Sequence, residues 1–132
     1  MTPDGQQSLI AAACEARHRA YAPYSNFQVG AALLTKDGRT FTGCNVENAS
    51  YGLTTCAERV AVGNAIAAGS KEFAALAIVT AGGSTPCGAC RQVLDEFCEG
   101  LQILLIDSDQ QNSVKAMSLT DLLPNRFSIR RQ

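Results

Sequence analysis

The chain has 132 residues, a formal net charge of −1 at pH 7 and 17% charged residues. That length suits one hydrophobic core, so we expect residues 1–132 to form a single domain. A nearly neutral chain without a basic stripe excludes a polyanion-binding surface, and no apolar run approaches the roughly 18 residues that span a bilayer. Neither nucleic acid nor a membrane is therefore an expected partner.

The six cysteines of the chain bear on its redox compartment. Six cysteines in a short chain can indicate a disulfide framework. Here three of them have the spacing of metal ligands, and the sequence shows no secretory leader. Because disulfides are rare in reducing compartments, we expect free thiols and a cytoplasmic location.

The first half of the sequence predicts one helix and a β-hairpin. Apolar residues recur at helical spacing over residues 7–20, which indicates an amphipathic helix, and the segment 22–26 breaks it. Residues 27–35 and 40–46 are typical of strands, and the turn that joins them is expected at residues 36–39. These two strands begin the predicted sheet.

The second half of the sequence alternates between helices and strands. Its predicted elements are a loop over residues 48–54, a helix over 56–68, a buried strand over 76–80, a flexible turn over 81–86 and a second helix over 87–98. Two more strands, over residues 103–106 and 114–117, and a helical turn over 118–123 follow. Thr54 or Thr55 is the expected N-cap of the first of these helices. A hairpin followed by this alternation predicts an α/β fold, in which a mixed sheet of about five strands carries helices on both faces.

Two short motifs carry the chemistry, Cys-Ala-Glu over residues 56–58 and Pro-Cys-Gly-Ala-Cys over residues 86–90. Together they supply three thiols for one metal ion, those of Cys56, Cys87 and Cys90. Zinc held by three protein ligands keeps an open position, which is the arrangement of a catalytic site. A water in that position becomes a usable nucleophile near neutral pH, and Glu58 is placed to carry its proton.

Both ligand segments fall in the first turn of a predicted helix, where the helix end favours thiolate over thiol. These helix ends offset part of the negative charge of the three thiolates, and Arg59 could offset more of it by donating hydrogen bonds to a thiolate. The alternative for Arg59 is an ordinary surface arginine. Residues 60–70 carry no charge, which indicates a buried neighbourhood and favours the thiolate contact.

Other interpretations of the cysteines stay open at this point. A lone Cys-x-x-Cys pair is also typical of a redox protein or of half a structural zinc site. Neither alternative requires a carboxylate beside the third thiol. Cys98 lies about 12 Å along a helix from Cys90, which is too far for the same ion. Cys14 and Cys44 are expected to be packed apolar residues, although either could approach the metal in three dimensions.

Four separated motifs give the chain a resemblance to the cytidine deaminase family, in its short homotetrameric form with three cysteine zinc ligands. They are Tyr-Ser-Asn-Phe-Gln-Val-Gly-Ala-Ala, Gly-Cys-Asn-Val-Glu-Asn-Ala, Cys-Ala-Glu-Arg and Pro-Cys-Gly-Ala-Cys-Arg-Gln, over residues 24–32, 43–49, 56–59 and 86–92. Leu-Leu-Pro over residues 122–124, followed by Phe127, is similar to the family's end. Cysteine at position 56 resembles the nucleoside-specific branch, whereas deaminases of polynucleotides, nucleotides or free cytosine have histidine there.

The resemblance implies a three-layer α/β/α deaminase fold, one zinc ion per subunit, and an enzyme of pyrimidine salvage. The implied reaction converts cytidine and 2′-deoxycytidine to uridine and 2′-deoxyuridine with release of ammonia. Zinc-bound hydroxide is implied to attack C4 of the base while Glu58 shuttles protons. The implied ligands are Cys56, Cys87 and Cys90.

The resemblance also assigns residues to the nucleoside. Asn45 and Glu47 are implied to hold the ribose 3′-hydroxyl, and as alternate residues of one strand they share a face; Val46 between them belongs to the same substrate-binding segment. Phe27 is implied to stack on the pyrimidine, and the backbone amide of Ala57 to receive the base carbonyl. The alternative for Asn45 and Glu47 is a solvated strand end.

Three further residues are implied to act across subunit boundaries. Phe127 reaches the base from a neighbouring subunit in this interpretation, although a C-terminal phenylalanine can also simply anchor the tail. Tyr51 and the Ala49 backbone are implied to serve the 5′-hydroxyl of an adjacent subunit's substrate. The predicted helix over residues 60–68 is apolar on nearly every face, which independently favours a partner surface.

Rival functions remain at the level of sequence. The nearest is a deaminase for a cytosine-nucleoside antibiotic, although Asn45 and Glu47 suit an unmodified sugar. A non-catalytic zinc module would not need Glu58 or an open coordination position. A thiol redox protein would work without metal.

Overall fold

A five-stranded sheet is the middle layer of the computed structural model, which describes residues 1–129 apart from the side chains of residues 111 and 112. Strands β1 to β5 span, in chain order, Gly30–Thr35, Thr40–Cys44, Phe73–Thr80, Gln102–Asp107 and Gln110–Ser118. They lie side by side in the order β2-β1-β3-β4-β5. Strands β3 and β4 are parallel and the other neighbours are antiparallel, so the predicted mixed sheet is confirmed.

Within residues 1–129, four α-helices and one 3₁₀ turn accompany the sheet. Helices α1 to α4 span Pro3–Arg17, Ala57–Ala67, Gly88–Phe97 and Leu119–Leu122, and the 3₁₀ turn spans Tyr51–Leu53. Each ligand motif immediately precedes or opens a helix, α2 in one case and α3 in the other. Within the described part of the chain no helix is both long and apolar enough to cross a membrane.

Alternating side chains of the central strands divide the core into two halves. In β4, Leu104 and Ile106 pack with Leu9 and Ile10 of α1 on one face of the sheet. Ile103 and Leu105, which alternate with them along β4, pack on the opposite face with residues of α2 and α3. Helices therefore cover both faces, and the predicted three-layer α/β/α fold is confirmed.

Several predicted boundaries are wrong by a few residues, for local reasons. Helix α1 begins at Pro3 because the Thr2 hydroxyl caps it, accepting a hydrogen bond from the Gly5 amide at 3.0 Å. Strand β5 begins at Gln110, four residues before the strand predicted over residues 114–117. Helix α2 has Cys56 as its N-cap, so the prediction of Thr54 or Thr55 is wrong.

Strand β1 begins at Gly30, three residues later than predicted. The preceding backbone is held by a side chain instead of a strand ladder. The Asn45 amide donates from Nδ2 to the Phe27 carbonyl at 2.9 Å, and its Oδ1 accepts from the Val29 amide at 2.9 Å. This use of Asn45 keeps Phe27 in an irregular segment at the edge of the site.

Gly43 lets β2 approach the first turns of α2 very closely. A Cβ atom at this position would lie 2.3 Å from the Ala57 carbonyl oxygen and 2.5 Å from the Ala61 nitrogen. Both distances are shorter than atoms of these kinds tolerate, so any larger residue would displace the helix. Glycine at position 43 thus fixes where Cys56 and Glu58 stand relative to the sheet.

Candidate active site

Three cysteine sulfurs converge where α2 and α3 begin. Cys56 is the N-cap of α2, Cys87 is the N-cap of α3, and Cys90 lies in the first turn of α3. Neither N-cap side chain makes a capping hydrogen bond to its helix. The three sulfurs lie within 4.8 Å of one another, and those of Cys56 and Cys87 are 3.9 Å apart.

This spacing fits a zinc ion. Zinc–sulfur bonds of about 2.3 Å at tetrahedral angles place two sulfurs about 3.8 Å apart, close to the 3.9 Å between Cys56 and Cys87. Among the described residues, Cys14, Cys44 and Cys98 do not belong to this cluster. Three sulfur ligands would leave one position open at a tetrahedral ion, so the cluster fits a zinc site of the catalytic type.

The pKa values of Cys56 and Cys90 shift in opposite directions. The hydrogen bond between Cys90 and Cys56 lowers the pKa of Cys56 to about 5, although burial opposes this, and it raises the pKa of Cys90. The start of α2 adds a partial positive charge beside Cys56. The lowered pKa of Cys56 favours the thiolate that binds a cation, and metal binding would displace the proton that Cys90 keeps.

Arg59 makes the contact that its sequence position suggests. Its Nη2 donates to the sulfur of Cys56 at 3.4 Å, and this hydrogen bond is the main reason that the pKa of Arg59 is raised. The Nε atom of Arg59 is buried and has no hydrogen-bond partner within residues 1–129. Arg59 therefore supplies positive charge directly at the sulfur cluster.

Glu58 lies beside the sulfurs in the first turn of α2. Only 5% of the residue is exposed, and burial is the main cause of its raised pKa, with the charge of Cys56 adding to it. A carboxyl group whose pKa is raised in this way can both accept and return a proton near neutral pH. Its position and its environment suit a proton carrier.

A cavity of about 260 Å³ opens in front of the cluster. Residues of both halves of the predicted site line it: Phe27, Asn45, Glu47, Cys56, Glu58 and Cys87. The structure thus brings the metal-binding residues together with the residues proposed for base and sugar. A cavity with an apolar wall and a few converging polar groups is the usual form of a small-molecule site.

Asn45 and Glu47 face the same cavity, as expected from their alternation, although β2 ends before them. Both side chains also have partners inside the chain. The amide of Asn45 holds the backbone of residues 27 and 29. The carboxylate of Glu47 accepts hydrogen bonds from the amides of Tyr24 and Ser25, at 2.9 and 3.1 Å, and from the Ser25 hydroxyl.

The remaining residues predicted for the substrate do not line this cavity. Ala57 is fully buried as the first residue of α2, where amide groups lack acceptors within the helix. Val46 and Ala49 are exposed. Tyr51 is 80% exposed and lines a neighbouring cavity of about 330 Å³ together with Glu47.

Phe127 is 61% exposed and lines a different cavity, on the α3 side of the protein, with Asp95 and Arg126. The ion pair between Arg126 and Asp95 fixes this part of the tail, with Nε and Oδ1 2.6 Å apart. Within one chain Phe127 therefore does not meet the residues around Glu58.

Sequence reasoning missed two residues that organise the site. Ser25 binds the Glu47 carboxylate, and Arg91 holds the loop before Cys87. The Arg91 guanidinium donates to the Pro86 carbonyl at 2.8 Å, to the Leu122 carbonyl at 2.9 Å and to the Thr85 hydroxyl at 3.2 Å. Both residues stand inside the family motifs, and that placement is the only signal of them in the sequence.

Comparison with protein families and curated proteins gives one consistent result. The family model for the cytidine and deoxycytidylate deaminase zinc-binding region matches residues 3–104. A cytidine deaminase of Sporosarcina psychrophila is 46% identical over 92% of this chain and 90% of its own. A cytidine deaminase of Mycobacterium tuberculosis is 50% identical over 89% of this chain and 85% of its own.

Comparison with solved structures points to the same family. The crystal structure of a cytidine deaminase from Burkholderia pseudomallei superposes with a TM-score of 0.87 at 54% identity, covering 96% of this chain and 100% of that one. The structure of the Mycobacterium tuberculosis cytidine deaminase gives a TM-score of 0.79 at 44% identity, covering 94% and 98% of the two chains. A cytidine deaminase from Bacillus anthracis, at 18% identity and a TM-score of 0.71, shares the fold.

Proposed function

The chain belongs to the cytidine and deoxycytidylate deaminase family, and we propose that it is a zinc-dependent cytidine deaminase that hydrolyses cytidine and 2′-deoxycytidine to uridine and 2′-deoxyuridine plus ammonia. One observation carries this proposal. The same cavity is lined by two cysteines of a three-sulfur metal cluster, by the buried carboxyl of Glu58 and by the nucleoside-facing residues Phe27, Asn45 and Glu47. Pyrimidine salvage follows from this activity.

Zinc held by Cys56, Cys87 and Cys90 would acidify the water that adds to C4 of the base. Glu58 takes a proton as that oxygen adds, and its carboxyl oxygen passes the proton to N3 of the ring. Glu58 then takes the remaining proton from the added oxygen and delivers it to the 4-amino nitrogen. The C4–N4 bond breaks, ammonia leaves, and the oxygen remains on C4 as the carbonyl of uridine. Burial of Glu58 supports both transfers, because it keeps the pKa raised.

The rest of the cavity is proposed to hold the nucleoside. Phe27 stacks on the pyrimidine, and the Ala57 amide donates to the base carbonyl. Asn45 and Glu47 bind the ribose 3′-hydroxyl, since a carboxylate accepts and an amide can do both. Val46 lies between them in the same segment. Support comes from the shared cavity for Phe27, Asn45 and Glu47, and from the helix end for Ala57.

We propose a homotetramer in which neighbouring subunits complete each site. Tyr51 and Phe127 are large exposed side chains, and among the described residues neither lines the cavity of Glu58, so contact across an interface would give them a role. The Ala49 backbone is assigned to the 5′-hydroxyl in the same way. Gly63, on the outer side of α2, is exposed, which permits close approach of a partner.

The whole chain is proposed to act as one deaminase domain in the cytoplasm. The family model covers most of the residues, and the helical turn α4 packs onto the core through Leu119. Three cysteines must be reduced to bind zinc, which a reducing compartment ensures.

The test is direct. Purified protein with one zinc per chain is mixed with cytidine, and the ultraviolet spectrum and ammonia release are followed together. The proposal predicts conversion to uridine with one ammonia per nucleoside, and much slower conversion of free cytosine, which lacks the sugar. Zinc-loaded, folded protein that leaves cytidine and 2′-deoxycytidine unchanged would refute it.

A further inference from the structure

The Glu47 carboxylate is held by a short turn that is distant in sequence. Oε1 of Glu47 accepts from the Tyr24 amide at 2.9 Å and from the Ser25 amide at 3.1 Å. Oε2 accepts from the hydroxyl of Ser25, in a short hydrogen bond. Three donors from two residues therefore restrict the rotation of a side chain that stands outside any helix or strand.

The same hydroxyl also holds the residue proposed to stack on the base. Ser25 Oγ accepts a hydrogen bond from the Phe27 amide at 3.0 Å. The Phe27 carbonyl in turn accepts from Nδ2 of Asn45 at 2.9 Å. Both peptide groups of Phe27 are thus tied to the sugar side of the cavity, one through Ser25 and the other through Asn45.

A serine hydroxyl has one proton to donate and lone pairs to accept with. In Ser25 the proton goes to Glu47 and a lone pair to Phe27, so one atom joins the sugar-binding group to the base-binding group. Ser25 and Glu47 also both line the second cavity, beside Tyr51. Alanine at this position would loosen both groups, which would then have to lose conformational entropy when substrate binds.

We propose that Ser25 is a positioning residue for nucleoside recognition, whose hydroxyl orients Glu47 toward the ribose 3′-hydroxyl and fixes the backbone of Phe27. This inference rests on the proposed function and deepens it. It assigns part of the preference for a sugar with a 3′-hydroxyl to a side chain that does not itself contact the reacting atoms. The hydrogen bond from Ser25 is also the main cause of the lowered pKa of Glu47, which keeps that carboxylate ionised.

The experiment compares Ser25→Ala with Ser25→Thr, which keeps the hydroxyl, using cytidine and 2′,3′-dideoxycytidine as substrates. Ser25→Ala should raise KM for cytidine about 10-fold, the order expected for loss of a hydrogen bond to a charged group, and change kcat less than about 3-fold. Ser25→Thr should stay near wild type. On the dideoxy substrate, which lacks the group that Glu47 binds, the effect of Ser25→Ala should be clearly smaller.

Two results would overturn the inference. One is an unchanged KM for cytidine in Ser25→Ala, and the other is an equal rise in KM on both substrates, which would show a general loss of structure. Zinc content and thermal unfolding are measured on every variant. Should Ser25→Ala fail to fold, Ser25→Cys serves instead, with an expected KM between those of wild type and a Glu47→Gln variant, and a wild-type KM would count against Ser25.

The proposed function is tested separately within this experiment. Wild-type protein that carries zinc but does not convert cytidine would refute both the proposed function and this inference. Active wild type combined with an unaffected Ser25→Ala would overturn the role of Ser25 alone.

Discussion

The two sides of the cavity are built by different means. On the metal side, Cys56, Glu58, Cys87 and Cys90 stand in or beside the first turns of two helices that pack against the sheet. On the nucleoside side, Phe27, Asn45 and Glu47 occupy irregular backbone between elements. Secondary structure fixes the first group, whereas hydrogen bonds between side chains and backbone fix the second.

This difference separates the groups proposed to carry out the reaction from the groups proposed to recognise the nucleoside. The groups that must keep sub-ångström geometry belong to the rigid framework, as catalysis requires of a metal and its proton carrier. The groups that recognise the nucleoside in our proposal are held by a few polar contacts within the chain, and neighbouring subunits would complete them. Damage to the metal side should therefore abolish turnover, while damage to the nucleoside side should mainly raise KM.

The largest expected effect is that of Cys87→Ala. Removal of one of three sulfurs should leave zinc too weakly held to remain bound, so both zinc content and turnover should fall below detection. Metal analysis of the purified protein and the cytidine assay measure this. Cys14→Ala, which removes a thiol outside the cluster, is the matched control and should retain zinc. A metal-free Cys87→Ala that still converts cytidine would count against the whole scheme.

Glu58→Gln should separate metal binding from proton transfer. The amide keeps the shape of the side chain but cannot accept the proton, so kcat should fall about 100- to 10,000-fold while zinc content stays at one per chain. Glu47→Gln makes the same change at a carboxylate on the nucleoside side. This control variant should raise KM with a much smaller change in kcat. Wild-type turnover in Glu58→Gln would show that another group carries the proton.

Phe27→Ala probes the nucleoside side of the comparison. Loss of stacking on the base should raise KM for cytidine about 10- to 100-fold, because such stacking contributes about 1–3 kcal/mol. Zinc content should not change. Tyr21→Ala removes an exposed aromatic residue outside the catalytic cavity and is the control. Equal KM values for the two variants would mean that Phe27 does not stack on the substrate.

The smallest expected effect on turnover is that of Arg126→Ala, whose main effect is on stability. Asp95 is 3% exposed and would lose its partner at 2.6 Å, which should lower the free energy of unfolding by about 1–3 kcal/mol. Denaturant unfolding measures this loss, and Arg126→Lys should recover part of it. A rise in KM with little change in kcat would also support a role for Phe127, which the ion pair holds. Unchanged stability would show that the ion pair contributes nothing.

The metal side could be predicted from the sequence because its determinants are local. Cys87 and Cys90 are three residues apart at a helix start, so one turn of helix brings their sulfurs together whatever the rest of the fold does. The succession of a hairpin followed by alternating helices and strands likewise predicted a mixed sheet with helices on both faces. Errors occurred at element ends, where a cap such as Thr2 decides the boundary by a single hydrogen bond.

The nucleoside side could be predicted only through the family resemblance. The partnership of Ser25 with Glu47 joins residues that lie 22 positions apart, and nothing in the spacing of either residue indicates it. The sequence predicts that Asn45 is a strand residue. Its side-chain amide instead takes the place of hydrogen bonds between strands and thereby shortens β1. Contacts of this kind depend on the tertiary fold, which local patterns do not encode.

Stepwise return of zinc to metal-free protein tests the central claim most directly. A chelator should abolish conversion of cytidine, and turnover should then rise in proportion to added zinc and level off at one ion per chain. Metal-free protein that works at the full rate, or activity that bears no relation to zinc occupancy, would contradict a reaction based on the three sulfurs and Glu58.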